Sequence, residues 1–348
     1  MQADAPGDIP ADIPAPTPSP DGRTAVRSTR YRRTARPGGG PSLLAPGAAR
    51  DPYRLYRVLR EEYPLSYDAP LGAWLISRYD DVATALTDPR FTGFPHDGAP
   101  RGGPAPLGLC HGSPRCLPRD RYTVVTGSVP RHQAERVERT AYVLARRIAG
   151  RRQADLVEEF CRWLPAGAGP FGAPPRTGGD PLSGEGPCTR QTGLRETALA
   201  SFLANLLDAP DLMAALRIEP ALAGRAWTES LRRDPPVQVV LRRTVAEVTL
   251  SGGTLPARTP VACLIGAAGR DPERFCAPDL FDPFRRDQDR TTTGPAGCPA
   301  VVLGRLEAEQ GTRALLDAMP RLRWADGFRP AATGLLTRGP RSLLVRPG

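Results

Sequence analysis

The chain has 348 residues with 40% hydrophobic content, which is enough to bury the core of one large domain or two ordinary ones. Its formal net charge is +10, and all 47 basic residues are arginine. These arginines are spread along the whole chain rather than gathered in one stripe with interleaved aromatic side chains, which argues against a nucleic-acid partner. Composition therefore predicts a globular protein with a solvated basic surface.

The cysteines and the N-terminus exclude further classes of protein. Seven cysteines occur at irregular spacing without a CxxC pair, so neither a disulfide scaffold nor a zinc site is expected. The N-terminus is acidic and Pro-rich where a signal peptide has an apolar run, and no stretch approaches the length of a membrane span. We therefore expect a cytoplasmic protein with reduced thiols and no membrane partner.

The first part of the chain is predicted to be a disordered tail followed by short elements. Residues 1–50 are Pro, Ala, Gly and Arg with few large apolar side chains to offset the entropy of ordering. Order is expected to begin at Asp51 and Pro52, a helix cap followed by Pro at the first helical position. A buried strand at 73–77 and a helix at 79–87 follow from the apolar spacing.

The rest of the chain predicts a domain over 51–348 that is mainly α with a small β part. The predicted helices lie at 131–149, 195–207, from Asp211 to the 230s, and at 301–318. The predicted strands lie at 237–241, 247–250 and 259–265, broken by Gly252-Gly253 and Pro256, with short strands after the last helix. Three patches without apolar periodicity are expected to be irregular: 97–120, 166–191 and 288–300.

Glu229 and Arg232 form an ExxR motif on a predicted helix. The spacing of three puts both charges on one helical face, where a buried carboxylate can hold a guanidinium in bidentate contact. Alone, such a pair is usually an exposed surface ion pair that contributes less than ~1 kcal/mol to stability. Its context is what makes it informative: DPPV at 234–237, GRDP at 269–272, FDPFR at 281–285, and Cys298 before a helix with Leu303, Arg305 and Glu307.

The order and spacing of these motifs resemble those of the bacterial cytochrome P-450 family, the heme-thiolate monooxygenases. The resemblance extends to the early segments DPYRLYRVLREEYP, AWLISRYDDVATALTDPRF and ADLVEEF. It implies a cytochrome P-450-like fold in which Glu229, Arg232 and Arg285 form a buried structural network that holds the loop beneath the heme.

The resemblance also implies heme b as the cofactor and Cys298 as its axial thiolate, the ligand that favours cleavage of the oxygen–oxygen bond. Gly294 matches the heme-binding loop, and Arg242 matches the position that pairs with a propionate. A buried or free loop cysteine and a solvated arginine are the alternatives at Cys298 and Arg242. Glu196 and Thr197 resemble the acid–alcohol pair that relays protons to bound dioxygen, although the same dipeptide early in a helix is also typical of capping.

Three departures from the family pattern suggest a divergent or truncated member. In the heme-binding loop, Thr291 and Ala296 stand where the family has Phe and His or Arg. The C-helix motif is not recognisable between 118 and 125. The interval 160–197 is too short for the family's E to H helices, so the distal roof is expected to be shortened and the pocket open to water.

Two functions follow from the resemblance. The first is a monooxygenase that oxidises a small organic secondary metabolite with O2 and electrons from a separate ferredoxin-type donor, since no flavin or nicotinamide fingerprint is present. The alternative is a heme-free auxiliary protein that stabilises or activates a glycosyltransferase. The altered heme-binding loop favours the alternative, whereas the retained Cys298, Arg242 and Glu196-Thr197 favour the enzyme.

Overall fold

The structure is a computed structural model, and it describes residues 41–93, 129, 131–165, 192–287 and 299–348. Its α-helices are α1 (Pro52–Glu62), α2 (Tyr79–Thr87), α3 (Arg131–Ala149), α4 (Thr192–Leu207), α5 (Pro210–Ile218), α6 (Leu222–Arg233), α7 (Ile265–Ala268) and α8 (Pro299–Ala318), with a π-helical turn at Val157–Cys161. The irregular patches predicted at 97–120 and 166–191 lie outside the described residues, and so does 288–298 of the patch predicted at 288–300.

The strands are short and belong to several small sheets. They are β1 (Leu65–Asp68), β2 (Ala73–Ile76), β3 (Phe91–Gly93), β4 (Ala154–Asp155), β5 (Val239–Thr244), β6 (Val248–Leu250), β7 (Gly253–Leu255), β8 (Pro260–Leu264), β9 (Arg323–Trp324), β10 (Ala332–Thr333), β11 (Gly339–Pro340) and β12 (Leu344–Arg346). The largest sheet has the order β1-β2-β8-β5-β3, and β2 and β8 are its parallel pair. The prediction of a mainly α fold with a small β part is confirmed.

The first helix begins where the sequence predicts. The Asp51 side chain accepts a hydrogen bond from the Tyr53 N–H at 3.2 Å, and Pro52 occupies the first helical position. Tyr56 and Leu59 are fully buried on the inner face of α1. The described chain already includes the turns at 41–50, where Leu43 is buried.

A helical core is formed around α8. Phe202 of α4 and Trp227 of α6 make an edge-to-face contact with ring centroids 5.4 Å apart. Gly311 of α8 lets the helix approach the π-helical turn, because a Cβ there would lie 3.2 Å from a ring carbon of Phe160. This helical layer includes α4, the helix on which the proton-relay residues are predicted.

The structure differs from the predicted elements at two places. The helix predicted from Asp211 to the 230s is two helices, α5 and α6, and the break falls at Pro220, which has no N–H for the helical hydrogen bond. The predicted strand at 247–250 does end before Gly252-Gly253, but the sequence does not predict β7, which begins at Gly253 and pairs with β6 across this turn. Gly253 has a φ of +146°, which a residue with a side chain rarely adopts.

Within the described ranges, no single helix is both long and apolar enough to cross a membrane. The segments Gly193–Leu207 and Pro210–Ile218 reach that length and composition only when taken together, and they are bent by 101° with respect to each other.

Candidate functional site

The structure brings Glu229, Arg232 and Arg285 together in one buried ion-pair network. Glu229 and Arg232 lie on α6, and two hydrogen bonds join them: Arg232 Nε donates to Glu229 Oε2 at 2.8 Å, and Nη2 donates to Oε1 at 2.7 Å. Arg285 Nε lies 2.8 Å from Glu229 Oε2. The Glu229 and Arg232 side chains are fully inaccessible to solvent, and the Arg285 side chain is 4% exposed.

The network fastens the loop after α7 to α6. Arg232 Nη1 donates to the carbonyl oxygens of Gly269 and Pro278 at 2.6 and 2.7 Å, and Nη2 donates to Leu280 O at 3.0 Å. The Asp282 N–H in turn donates to Glu229 Oε1 at 3.0 Å. Because each buried charge has a charged or carbonyl partner, the arrangement avoids the large cost of an unpaired buried ion.

Arg242 is a buried cation of a different kind. It lies on β5, opposite Gly93 of β3 and Val261 of β8, and is 5% exposed. Its Nη1 donates to Leu241 O at 3.3 Å, and no carboxylate of the described residues forms an ion pair with it. A buried guanidinium without a counter-ion is costly, so this position suits an anionic group from a ligand.

Glu196 and Thr197 lie in the N-terminal part of α4, as predicted, but their side chains have different partners. Thr197 Oγ1 donates to the Gly193 carbonyl oxygen at 2.8 Å. The Glu196 carboxylate lies 3.8 Å from Arg162 Nε beside the π-helical turn. Burial raises the pKa of Glu196 above its usual value, while Arg162 opposes the shift. A carboxyl that takes up a proton more readily suits a relay role.

Cys298 and Gly294 lie outside the described residues. The cysteines that the structure does describe are poor candidates for a thiolate ligand. Cys161 and Cys263 are completely buried, and burial raises the pKa of both thiols, that of Cys263 to about 12. Cys276 is exposed in the loop that the Glu229 network holds.

Gly339 is a residue of the site that the sequence patterns do not single out. It lies on β11 against the side of α4, and a Cβ at this position would lie 2.4 Å from Thr197 Cγ2. The strand can therefore pass beside Thr197 only because residue 339 has no side chain. No local signal in the sequence reveals this contact, because the two residues are far apart in the chain.

Arg195 and Glu307 form a second buried ion pair that the sequence analysis did not predict. Arg195 Nη1 contacts Glu307 Oε1, and the two side chains are 5% and 2% exposed. The pair joins α4 to α8. Glu307 stands in the segment that follows Cys298 in the sequence, but its partner could be identified only from the fold.

The chain matches known proteins over most of its length. The family model for cytochrome P450 matches residues 222–296. Protein DesVIII of Streptomyces venezuelae is 31% identical over an alignment of 353 positions, gaps included, that covers 86% of this chain and 86% of that protein. Cytochrome P450 107B1 of Saccharopolyspora erythraea is 30% identical, with 88% of this chain and 98% of that protein covered. Pulcherriminic acid synthase of Bacillus subtilis is 34% identical over 162 residues, and this match covers 43% of this chain and 40% of that enzyme.

Solved structures agree with this fold. The crystal structure of CYP109E1 from Bacillus megaterium in complex with corticosterone superimposes with a TM-score of 0.65 at 19% identity, covering 85% of this chain and 98% of that one. The chain belongs to the cytochrome P-450 family. Members of this family are monooxygenases that bind heme b through a cysteine thiolate.

The described residues fit heme at the one contact that they can test. A heme propionate is an anion, and the buried guanidinium of Arg242 lacks an ion-pair partner among the described residues. A propionate would neutralise this charge and form the charge-assisted hydrogen bonds that a buried arginine needs.

Proposed function

We propose that this protein is a heme-thiolate monooxygenase that oxidises a small organic metabolite with O2. The observation that carries the proposal is Arg242, a buried cation on β5 without a described counter-ion, in a chain of the cytochrome P-450 family. The related proteins include Pulcherriminic acid synthase, whose name describes a biosynthetic enzyme, and this supports a substrate from secondary metabolism. A separate ferredoxin-type protein is proposed as the electron donor.

Each site residue has a distinct task in this proposal. Cys298 would provide the thiolate sulfur that holds the iron, Gly294 would belong to the heme-binding loop, and Arg242 would bind a propionate. When bound, heme supplies the chemistry of dioxygen activation. The loop after α7, which precedes Cys298 in the sequence, is kept in place by Glu229, Arg232 and Arg285.

Proton delivery is assigned to Glu196 and Thr197. The Glu196 carboxyl lies beside solvent-accessible Arg162 and can take up a proton there. Thr197 Oγ1 can pass a proton onward when it releases the hydrogen bond to Gly193 O.

Hemin reconstitution tests the proposal. The purified protein is mixed with hemin, reduced and exposed to carbon monoxide, and we expect the Soret band of a thiolate-ligated carbonyl complex. Cys298→Ser should lose this band, whereas Cys276→Ser, a control at an exposed cysteine, should retain it. An unchanged band in Cys298→Ser would refute the assignment of the ligand.

The heme-free auxiliary role is the second candidate, and the substitutions in the heme-binding loop favour it. Thr291 and Ala296 stand where the family pattern has an aromatic side chain and a propionate partner, so both of these groups are missing. On this reading the protein fails to bind hemin but co-purifies with a glycosyltransferase and increases the activity of that enzyme. A wild-type protein with a thiolate-type Soret band would exclude the heme-free role.

A further inference from the structure

The ion pair between Arg195 and Glu307 belongs to a larger set of contacts at the start of α4. Arg195 Nη1 contacts Glu307 Oε1 of α8, and Arg195 Nη2 donates to the carbonyl oxygen of Pro165 at 3.0 Å. One side chain thus joins α4, α8 and the segment after the π-helical turn. We call Arg195, Glu307 and the Pro165 carbonyl the α4–α8 clasp.

The helix surface around the clasp leaves little free space. Gly304 lies one turn before Glu307 on α8, and a Cβ there would lie 3.2 Å from Trp227 Cζ2 and 4.0 Å from Arg195 Cγ. The absence of a side chain at 304 lets the aliphatic part of Arg195 and the indole of Trp227 pack directly against α8. The position of the Arg195 guanidinium is therefore fixed by packing as well as by its charge.

A contribution to stability does not by itself explain why the protein has a buried ion pair at this position. Moving two charges out of water is costly, and apolar side chains of similar volume often stabilise a core equally well or better. The energy of a buried ion pair depends on direction, unlike that of apolar packing. The pair is therefore favourable only in one relative arrangement of the two helices. Glu307 Oε2 has no hydrogen-bond partner among the described residues, so the carboxylate depends on Arg195.

We propose that Arg195 is a positioning residue that, through Glu307, sets the distance between the helix carrying Thr197 and the helix that follows Cys298. The inference rests on the proposed function. Arg195 precedes Thr197 by two residues, which is about 3 Å along the axis of α4. Glu307 lies about 12 Å from the start of α8 at Pro299, the residue after Cys298.

Because α8 connects the clasp to the proposed iron ligand, a change in the orientation of α8 at Glu307 moves the start of the helix beside Cys298. A tilt of about 10° at Glu307 displaces the start of α8 by about 2 Å, given a rise of 1.5 Å per residue. A displacement of this size is comparable with a metal–ligand bond length. Loss of the clasp should therefore lower the fraction of bound hemin that has a thiolate ligand more than it lowers the total amount of hemin bound.

The test uses Arg195→Met, Glu307→Gln and the double variant, at a pH above the pKa of Glu307, so that the carboxylate is ionised. The exposed pair Arg131–Glu135 provides matched controls, Arg131→Met and Glu135→Gln. Two quantities are measured: the unfolding equilibrium without hemin, and the fraction of bound hemin that gives a thiolate-type carbonyl complex. Arg195→Lys, which keeps the charge but not the planar fork, serves as the conservative variant.

We expect the two single substitutions to be non-additive by about tenfold or more in the unfolding equilibrium constant, since their side chains act as one pair. The thiolate-ligated fraction should fall in both single variants and in the double variant, with partial recovery in Arg195→Lys and no change in the controls. The double variant has no unpaired buried charge at this site, so it can be measured even where a single variant does not fold.

Two results would overturn the inference. If the double variant binds hemin with an undiminished thiolate-type band, Arg195 has no positioning role, and the proposed function stands. If the wild-type protein gives no thiolate-type band, the proposed function fails and the positioning role fails with it. Non-additivity in the unfolding measurements would then identify the clasp as a purely structural pair.

Discussion

At the scale of single residues, the site depends on buried arginines. Arg232 and Arg285 share the carboxylate of Glu229, and Arg195 pairs with Glu307. Arg242 is buried without such a partner among the described residues. Since an arginine stays protonated in a protein, each of these positions needs an anion or a set of carbonyl oxygens beside it.

The first prediction concerns Glu229→Gln. The substitution removes the charge that Arg232 and Arg285 share. It leaves the buried Arg232 guanidinium without an anion, whereas Arg285 keeps Asp287 Oδ1 at 3.2 Å. We expect the free energy of unfolding to fall by about 3–5 kcal/mol, as measured by urea denaturation. Glu135→Gln at the exposed pair with Arg131 is the control and should cause no measurable loss. Equal effects of the two substitutions would contradict a structural role for the network.

The second prediction concerns the pH dependence of stability. Burial raises the pKa of Glu307 from an ordinary value of 4.5 to about 7, with Arg195 opposing the shift. The folded protein therefore keeps a proton that the unfolded chain has already released. The contribution of Glu307 to the free energy of unfolding should fall as the pH rises between these two values, and stay level above them.

Denaturation curves of the wild-type protein and Glu307→Gln, recorded over this pH range, test the prediction. The difference in unfolding free energy between the two proteins isolates the contribution of Glu307 from that of other titrating groups. The unfolding free energy of the wild-type protein minus that of Glu307→Gln should fall as the pH rises, because only the wild-type protein is destabilised by ionisation of Glu307. A difference that does not change with pH would show that the Glu307 pKa is similar in the folded and unfolded states.

At the scale of elements, the site depends on how closely α4 is approached by its neighbours. β11 passes beside Thr197 at Gly339, and α8 lies against Arg195 and Trp227 at Gly304. Neither contact needs a special backbone conformation, because neither glycine has a positive φ. A Cβ would overlap with Thr197 at Gly339 and would make a tight contact with Trp227 at Gly304. The sequence near each glycine does not reveal these contacts.

The third prediction is that Gly339→Ala forces β11 and α4 apart. The new Cβ would lie 2.4 Å from Thr197 Cγ2, closer than carbon atoms can approach. We expect a loss of about 1–3 kcal/mol in the free energy of unfolding, the usual cost of overpacking. Gly150→Ala is the matched control, because nothing lies within 4 Å of the added atom there. Similar stability of the two variants in denaturation experiments would place β11 farther from Thr197 than the structure does.

At the scale of the whole molecule, the protein combines a helical core with a small sheet region. The helical core contains α3, α4, α6 and α8, and a second buried cluster lies around Ile76, Val240 and Val261 of the five-stranded sheet. Arg242 lies on this sheet, whereas Thr197 lies on α4, a helix that contributes to the helical core. The proposed cofactor would therefore contact both parts, with its propionate on the sheet side.

The fourth prediction follows from this arrangement: hemin should stabilise the folded protein as a whole. A ligand that binds only the folded state adds about 2.7 kcal/mol to the free energy of unfolding at a concentration one hundred times its Kd. Thermal denaturation with increasing hemin should show a rising midpoint in the wild-type protein and a smaller rise in Arg242→Met. A midpoint that does not depend on hemin would contradict the proposed function.

The sequence by itself determined the fold family and the order of the longer helices and strands. Those features depend on local patterns, such as the cap at Asp51-Pro52, the spacing of Glu229 and Arg232, and the run of motifs up to Arg285. Local patterns also missed the break at Pro220, where an apolar periodicity continued across a residue that cannot be part of the helical hydrogen bonding.

Only the tertiary structure decided which side chains meet across the fold. Arg195 with Glu307, and Gly339 with Thr197, are pairs from distant parts of the chain, and no spacing rule connects them. The structure also shows that two buried arginines have different surroundings, since Arg232 pairs with Glu229 and Arg242 has no ion-pair partner in the described part of the chain. The physical reason is that the surroundings of a buried charge are supplied by packing between elements, which a local pattern does not encode.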